Sequence, residues 1–326
     1  MRSATYNDFG KPSDVLTIAS CPTPEPKAGE VRIKTILSSI HNHDLITIQG
    51  QYGTKPTLPA LAGSEAVGTI DAIGGEIDGL KVGQRVVATG VEGTWAEYFT
   101  APASSILSIP DTIDDEMASQ LIAMPMSALM LIEFLELDAG QWLIHNAANG
   151  AVGESLAMLA AERGIHTINV VRSKESANEL TEIGITEHNV VSADDDWKEQ
   201  VRRIVGDDKI RGAVDSVGGQ SGGDLLSLLG HGGTMAAVGG MSGQPLMLNP
   251  THLIFKQAAI KGFWGGALMQ KMDADNKSRL MQELVERAAS GKLKLPTGGI
   301  YTLDNIKEAV SGKVQSGKKG KILLKP

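Results

Sequence analysis

The sequence predicts an α/β protein in which a small, irregular β-barrel precedes a doubly wound parallel sheet of six strands. Three observations predict it. Short apolar runs broken by Pro and Gly fill the chain up to about residue 115. From Asp114 onward, strand-like and helix-like runs alternate. After the first such strand stands Ala148-Asn149-Gly150-Ala151-Val152-Gly153, a glycine-rich turn that opens a helix.

In the first part, residues 31–40 and 66–73 read as strands, the second closed by Gly74-Gly75. Residues 80–87 read as a turn feeding a strand. The most apolar stretch, 117–132, contains Ser119, Gln120, Pro125 and Ser127 and has acidic flanks. It is too short and too polar to span a bilayer, and it predicts a buried helix broken near Pro125. The alternating part follows with strands over 142–145, 167–171, 190–191, 213–217, 234–238 and 259–263. The helices between them cover 153–163, 175–183, 197–205, 224–229 and 251–256. Six strands joined by crossovers make a parallel sheet. After Trp264, a helix over 277–289 leads to Lys321-Ile322-Leu323-Leu324, a strand expected to return to the first part. The predicted division is residues 1–115 with 266–326, and residues 116–265.

Bulk composition narrows the function. A chain of 326 residues suits two domains, and 42% apolar with 21% charged is ordinary for a globular protein. A net charge of −8 argues against general nucleic-acid affinity. Cys21 is the only cysteine, which excludes an internal disulfide framework and a multi-thiolate zinc site and fits a reducing compartment. Residues 1–10 show neither an apolar core nor an Arg/Ser-rich amphipathic pattern, so no signal or transit peptide is read and a cytoplasmic location is expected.

The glycine-rich turn carries the first functional signal. Glycine lets the backbone approach a pyrophosphate, and the helix N-terminus presents unpaired N–H groups to the anion. Gly150 and Gly153 occupy the second and third positions of the dinucleotide fingerprint, and Ala148 takes the first. Asn149, Ala151 and Val152 complete the turn. Nineteen positions after Gly153, at the end of the next apolar run, stands Arg172. A fold built for NAD has a carboxylate there to hold the ribose 2′-hydroxyl, whereas a cation suits a 2′-phosphate. Ser173 and Lys174 follow and can hold the same phosphate. This stretch predicts NADPH, and with it hydride transfer. The bland alternatives are a ligand-free tight turn and a solvated arginine; the six alternating units and the strand-end position favour the cofactor. Ser216-Val217-Gly218-Gly219 and Val238-Gly239-Gly240-Met241 end two further strands and are expected to line the same trough, although simple turns would also use these glycines.

Other stretches join these: Ile48-Gln49-Gly50-Gln51-Tyr52-Gly53, Leu58-Pro59-Ala60-Leu61-Ala62-Gly63-Ser64-Glu65, Gly93-Thr94-Trp95, Asn146-Ala147-Ala148-Asn149, Gly232-Gly233-Thr234-Met235, Leu253-Ile254-Phe255-Lys256 and Lys261-Gly262-Phe263-Trp264. In order, and over nearly the whole chain, they resemble the medium-chain dehydrogenase/reductase superfamily. Within it, the pattern resembles the mitochondrial-type 2-enoyl thioester reductases and the zinc-free quinone oxidoreductases. The resemblance implies a GroES-like first domain, a Rossmann second domain and a homodimer paired along residues 259–263. It implies Tyr52 as proton donor, Ser127 as a hydroxyl near the nicotinamide, and Gly239-Gly240-Met241 with Phe263-Trp264 beside nicotinamide and substrate. Lys321 lies in a tail segment that often reaches the cofactor. One position departs from the pattern: His41 stands eleven residues before Tyr52, where the family usually has asparagine and the zinc alcohol dehydrogenases a cysteine ligand. Ser64 replaces the second zinc ligand, a histidine, although Glu65 remains, and the cysteine-rich zinc lobe is absent. No metal is expected.

Reduction of an activated C=C bond needs a hydride at the β-carbon, polarisation of the carbonyl as enolate charge develops, and a proton at the α-carbon. Neither a metal nor a covalent nucleophile is required. Tyr52 can donate the proton; the alternative is a tyrosine packed on its loop. His41 is expected to orient substrate or the nicotinamide ribose; the alternative is a satisfied histidine at a strand end. His41, His43 and Asp44 also invite a metal reading, since alternate side chains on a strand share a face, but further ligands are needed. The methionines at 117, 124, 126 and 130 read as core filling. The lysines at 313, 318, 319 and 321 form a basic tail, either an attractor for acyl-CoA phosphates or a solvated terminus. The expected function is NADPH-dependent reduction of α,β-unsaturated carbonyl compounds, with 2-enoyl thioesters (of CoA or acyl carrier protein) leading. The alternatives are a quinone reductase, an alcohol dehydrogenase and a non-catalytic NADPH-binding protein. The expected partner is a small-molecule substrate, with neither nucleic acid nor membrane.

Overall fold

The structure, a computed structural model, describes residues 1–311 and 319–326. It divides into two compact units, Met1–Ala123 with Leu295–Pro326, and Met124–Lys294. Two lysines of the expected basic tail, Lys313 and Lys318, lie outside the described residues.

The first unit contains two sheets. In the smaller, Arg2–Tyr6 lies between Thr17–Ser20 and Ala60–Leu61. The larger runs Thr297–Thr302, Lys321–Lys325, Glu30–Ser39, Glu65–Ile73, Arg85–Thr89 and Ile106–Ser108, with Tyr98–Pro102 also paired to Glu30–Ser39. The tail strand does return: Leu323 and Leu324 pair antiparallel with Ser39 and Ser38. Along Glu30–Ser39, Val31 and Ile33 enter the core while Lys34 stays in solvent, the alternation of a half-buried strand. The alternation ends at Leu37. Ser38 and Ser39 are then both buried, so the strand leads into a polar interior rather than an apolar one.

The second unit is a six-stranded parallel sheet with strands Trp142–His145, His166–Val171, Asn189–Val191, Ile210–Asp215, Thr234–Ala237 and Ala259–Gly262. Their spatial order is third, second, first, fourth, fifth, sixth, which is the Rossmann order. The chain therefore reverses direction across the sheet between the first and fourth strands, and the glycine-rich turn sits at that switch point.

Several element boundaries differ from expectation for identifiable reasons. The helix expected to start at 224 spans Gly219–Leu228, because glycines that read as breakers are packing devices. A Cβ on Gly223 would stand 1.8 Å from the Met247 carbonyl oxygen, and one on Gly222 would stand 2.3 Å from the Asp215 carboxylate. Pro125 lies in the first turn of Ala123–Phe134, where its missing N–H breaks no bond, so the interruption falls just before it. A short helix, Gly265–Lys271, was not foreseen.

The expected boundary at 265/266 also moves. Helix Ala274–Ala289 belongs to the second unit. Arg163 bonds Glu283 at 2.7 Å, Arg279 bonds Glu133 at 2.7 Å, and Arg287 bonds Glu162 at 3.0 Å. Leu280 and Leu284 are fully buried, which at about 1.5–3 kcal/mol each outweighs the half-exposed ion pairs. No helix among the described residues is long and apolar enough to cross a membrane.

Candidate active site

In the second unit the glycine-rich turn leads into a helix N-terminus whose geometry can be tested against a phosphorylated ligand. Helix Ala151–Glu162 starts at Gly150, whose extended backbone supplies no side-chain cap. The first N–H groups of the helix thus have no side-chain acceptor, which suits an anion. Gly153 must be glycine: a Cβ would stand 2.6 Å from the Ala148 carbonyl oxygen and 2.7 Å from its Cα. This is the close packing of helix on turn that the third fingerprint glycine allows. Ala147, at the start of the turn, takes a left-handed conformation at φ +49°, costing roughly 1–2 kcal/mol for a residue with a Cβ.

Arg172 is exposed at the end of His166–Val171 and has no ion-pair partner among the described residues. Ser173 caps helix Lys174–Glu182, its Oγ accepting from the Ser176 N–H at 3.3 Å. Asn149 ties the turn to that helix, its Nδ2 donating to Glu179 Oε2 at 3.0 Å and Ser176 Oγ at 3.2 Å. Two cations, Arg172 and Lys174, therefore stand at the positive end of a helix, a combination that attracts a phosphate. The residues present fit a dinucleotide carrying a 2′-phosphate.

Two residues missed in the sequence shape the rest of the trough. Asp215 Oδ1 accepts from Val217 N–H and Gly218 N–H at 3.0 Å each and from Asn146 Nδ2 at 2.7 Å. Asn146 Oδ1 accepts from Ser216 N–H at 2.8 Å. The signal available was position alone: each polar residue ends a strand just before a glycine-containing loop. The two loops are then joined, Met241 N–H donating to Ser216 carbonyl at 3.2 Å. A Cβ on Gly239 would stand 2.9 Å from that same oxygen, so Gly239 serves loop packing, whereas one on Gly240 would meet nothing within 4 Å. Val238 donates its N–H to Asp215 carbonyl at 2.8 Å. Phe263 buries its ring against Phe134 at 5.5 Å, while Trp264 and Met241 are exposed. Ser127 Oγ lies where a Cβ on Gly265 would approach it to 3.2 Å.

In the first unit, His41 is the N-cap of helix Asn42–Ile48, with Asp44 Oδ2 accepting its N–H at 2.9 Å. His41 and His43 are not alternate residues of a strand, as expected, yet their rings stack with centroids 5.0 Å apart. His41 Nε2 lies 2.8 Å from Glu65 Oε2 and 2.7 Å from Ser39 Oγ, with all three residues fully buried. Against the expectation that His41 orients substrate or ribose stands its burial: no part of it reaches solvent, and its Nε2 is bonded internally, while its buried Nδ1 has no hydrogen-bond partner among the described residues. Tyr52 follows Gly50, whose φ of +72° turns the chain after the helix, and its ring is 6.0 Å from that of His43. Lys321 acts on this cluster, lowering the pKa values of both His41 and Glu65 by its charge.

Burial pushes the Glu65 carboxyl up to about 7, against the opposing pull of the Ile122 and Ala123 N–H groups, at 2.7 and 3.1 Å, and of nearby positive charge. Burial drives His41 well below the usual histidine range. A carboxyl whose folded pKa is raised contributes stability that is present below pH 4.5 and lost as pH rises to about 7. The Glu65→Gln variant lacks this titration. Relative to it, the wild type should lose roughly 1.4 kcal/mol of stability per pH unit across that window, measured by urea unfolding at several pH values. Parallel curves for the two proteins would show that Glu65 does not titrate there.

Residues 27–111 match the alcohol dehydrogenase GroES-like domain family, and residues 151–285 the zinc-binding dehydrogenase family. The mitochondrial enoyl-[acyl-carrier-protein] reductase of Homo sapiens is 30% identical over 320 residues, covering 97% of this chain and 86% of its own. The chain belongs to the medium-chain dehydrogenase/reductase superfamily, in its zinc-independent branch. Its donor set does not fit zinc, whatever the second family's description: Ser64 stands where an imidazole would be needed, and His41 Nε2 is engaged with Glu65 and Ser39. Among the described residues no three His, Cys, Asp or Glu converge on a metal-sized site.

A mycobacterial protein crystallised with NADPH superposes on this chain with a TM-score of 0.88 at 26% identity, covering 100% of both chains. A mycobacterial quinone oxidoreductase superposes with a TM-score of 0.86 at 26% identity, again over 100% of both. The chain thus has an NADPH-binding oxidoreductase fold. The expected cytoplasmic location is overturned by the relatives: enoyl-[acyl-carrier-protein] reductases that match across most of the chain, from mammals, Arabidopsis thaliana, Caenorhabditis elegans, Xenopus tropicalis and Dictyostelium discoideum, are all mitochondrial by name.

Proposed function

We propose that this protein is an NADPH-dependent reductase of small α,β-unsaturated carbonyl compounds and that its substrates are 2-enoyl thioesters. The observation that carries the reading is Tyr52, a phenol placed next to a histidine in a first unit whose described residues hold no zinc-ligand set. The 30% identity to an enoyl-[acyl-carrier-protein] reductase over 97% of the chain supports it. When bound, NADPH supplies hydride to the substrate's β-carbon. Arg172 and Lys174 hold the 2′-phosphate, and the N–H groups at 150–153 hold the pyrophosphate. Asp215 and Asn146 keep the loop Ser216–Gly219 in shape for the nicotinamide end, which Ser127, Gly240, Met241 and Trp264 also line. Tyr52 gives its Oη proton to the α-carbon as the enolate collapses to the saturated thioester. Oxidation of NADPH by crotonyl-CoA, followed at steady state, tests the reading. Turnover of a benzoquinone and none of crotonyl-CoA would replace it with the second reading, a quinone reductase, which the 26%-identical quinone oxidoreductase structure favours.

We also infer a homodimer formed along the strand Ala259–Gly262. This strand ends the sheet, and the helix before it exposes Ile254 and Phe255 at 65% and 77%. An open strand edge beside apolar side chains needs a cover. Light scattering should give twice 34.4 kDa for the wild type and 34.4 kDa for Phe255→Asp. A wild type already at the smaller mass removes the dimer.

A further inference from the structure

Asp44, Ser64 and His43 form a hydrogen-bonded chain that ends beside Tyr52. Ser64 Oγ donates its one proton to Asp44 Oδ1 at 2.6 Å. The 2.8 Å contact between Ser64 Oγ and His43 Nε2 is then satisfied only if the imidazole donates. Nε2 keeps a proton in the neutral ring, so Nδ1 is the nitrogen that gains and loses one. The inner end is immobile, because Asp44 is buried and its Oδ2 holds the His41 N–H. Stacking on His41, with the rings inclined by 17°, sets the plane of His43. The His43 side chain is 28% exposed, whereas His41 has no exposure at all, so water reaches the outer ring alone. The Tyr52 ring lies beside it, with centroids 6.0 Å apart and planes inclined by 38°. A base held by a partner that is itself held by a carboxylate is the arrangement that orients proton-transferring histidines.

We propose that His43 is the proton relay that recharges Tyr52. The proposal rests on Tyr52 being the proton donor of the reduction. Once the phenol has given its proton to the α-carbon, it is a phenolate. The His43 imidazolium then transfers its Nδ1 proton: the N–H bond breaks, the O–H bond forms on Tyr52 Oη, and the neutral imidazole takes a fresh proton from water. One proton enters from solvent per turnover, which balances the hydride delivered to the substrate. The charged and titratable groups around the ring are His41 and Asp44 on its own helix, Glu65 on the strand Glu65–Ile73, Lys321 on the tail strand, and Tyr52 itself.

His43→Gln should lower kcat with crotonyl-CoA by at least about tenfold, leave KM within about twofold, and recover kcat when imidazole is added to the buffer. Nitrogen NMR of labelled histidine in the coenzyme-free protein should show His43 as the Nε2–H tautomer, and Ser64→Ala should redistribute it. An unchanged kcat in His43→Gln, a loss that imidazole does not restore, or an Nδ1–H tautomer in the wild type would each overturn the relay. If His43→Gln does not fold, the wild-type tautomer still decides. Failure of the underlying reading has a different signature: Tyr52→Phe would keep full turnover. A slow Tyr52→Phe with a fast His43→Gln removes the relay and leaves the donor standing.

Discussion

Replacing Tyr52 by Phe is expected to lower kcat for crotonyl-CoA by about 100-fold or more, the range seen when a positioned general acid is removed. The Kd for NADPH, read by fluorescence titration, should stay within about twofold. The split follows from where the residues lie. Tyr52 belongs to the first unit, while the phosphate-holding turn and Arg172 belong to the second. Removing one hydroxyl leaves the ring in place against His43, so the loop keeps its packing. What is lost is a proton needed only as enolate charge develops, which appears in kcat rather than in ground-state binding. Full turnover by the variant would take Tyr52 out of the mechanism.

Arg172→Ala is expected to weaken NADPH binding by about ten- to a hundredfold and NADH binding hardly at all. Charge-assisted hydrogen bonds to a phosphate contribute about 1.5–3 kcal/mol, and NADH offers no such group at that position. Arg172 is exposed and has no ion pair among the described residues, so the substitution strands no internal carboxylate and should leave stability unchanged. Exposure also means that salt screens the interaction. The preference for NADPH in the wild type should therefore shrink as ionic strength rises, and the variant should show little salt dependence. Equal losses for both coenzymes would end the phosphate role, leaving Ser173 as a helix cap and Lys174 as a surface charge.

The cofactor half of the site was legible because its signals are local. Strand, glycine turn, helix and strand-end cation occupy one stretch from Trp142 to Lys174. Steric need at Gly153 and freedom at Gly150 follow from chain geometry within a few residues. The acid–base half was only partly legible. Tyr52 was proposed through resemblance, His41 was given a substrate role, and His43 no role beyond a metal reading. The burial of His41 depends on Glu65, and the orientation of His43 on Ser64, partners 24 and 21 residues away. Asn146 and Asp215 were missed for the same reason, being 69 residues apart in the chain.

Taken alone, the order of apolar and glycine residues determined a six-stranded parallel sheet and the place of a glycine-rich turn at the start of a helix. Periodicity and turn chemistry act over a few residues and leave their mark directly in the chain. Only the tertiary structure decided which polar side chains face solvent and which are consumed inside. It buried His41 against Glu65, left the His43 ring open beside Tyr52, and assigned helix Ala274–Ala289 to the second unit. Those outcomes turn on desolvation and on hydrogen-bond partners brought together by folding, and a buried polar atom must find its partner wherever the chain happens to return.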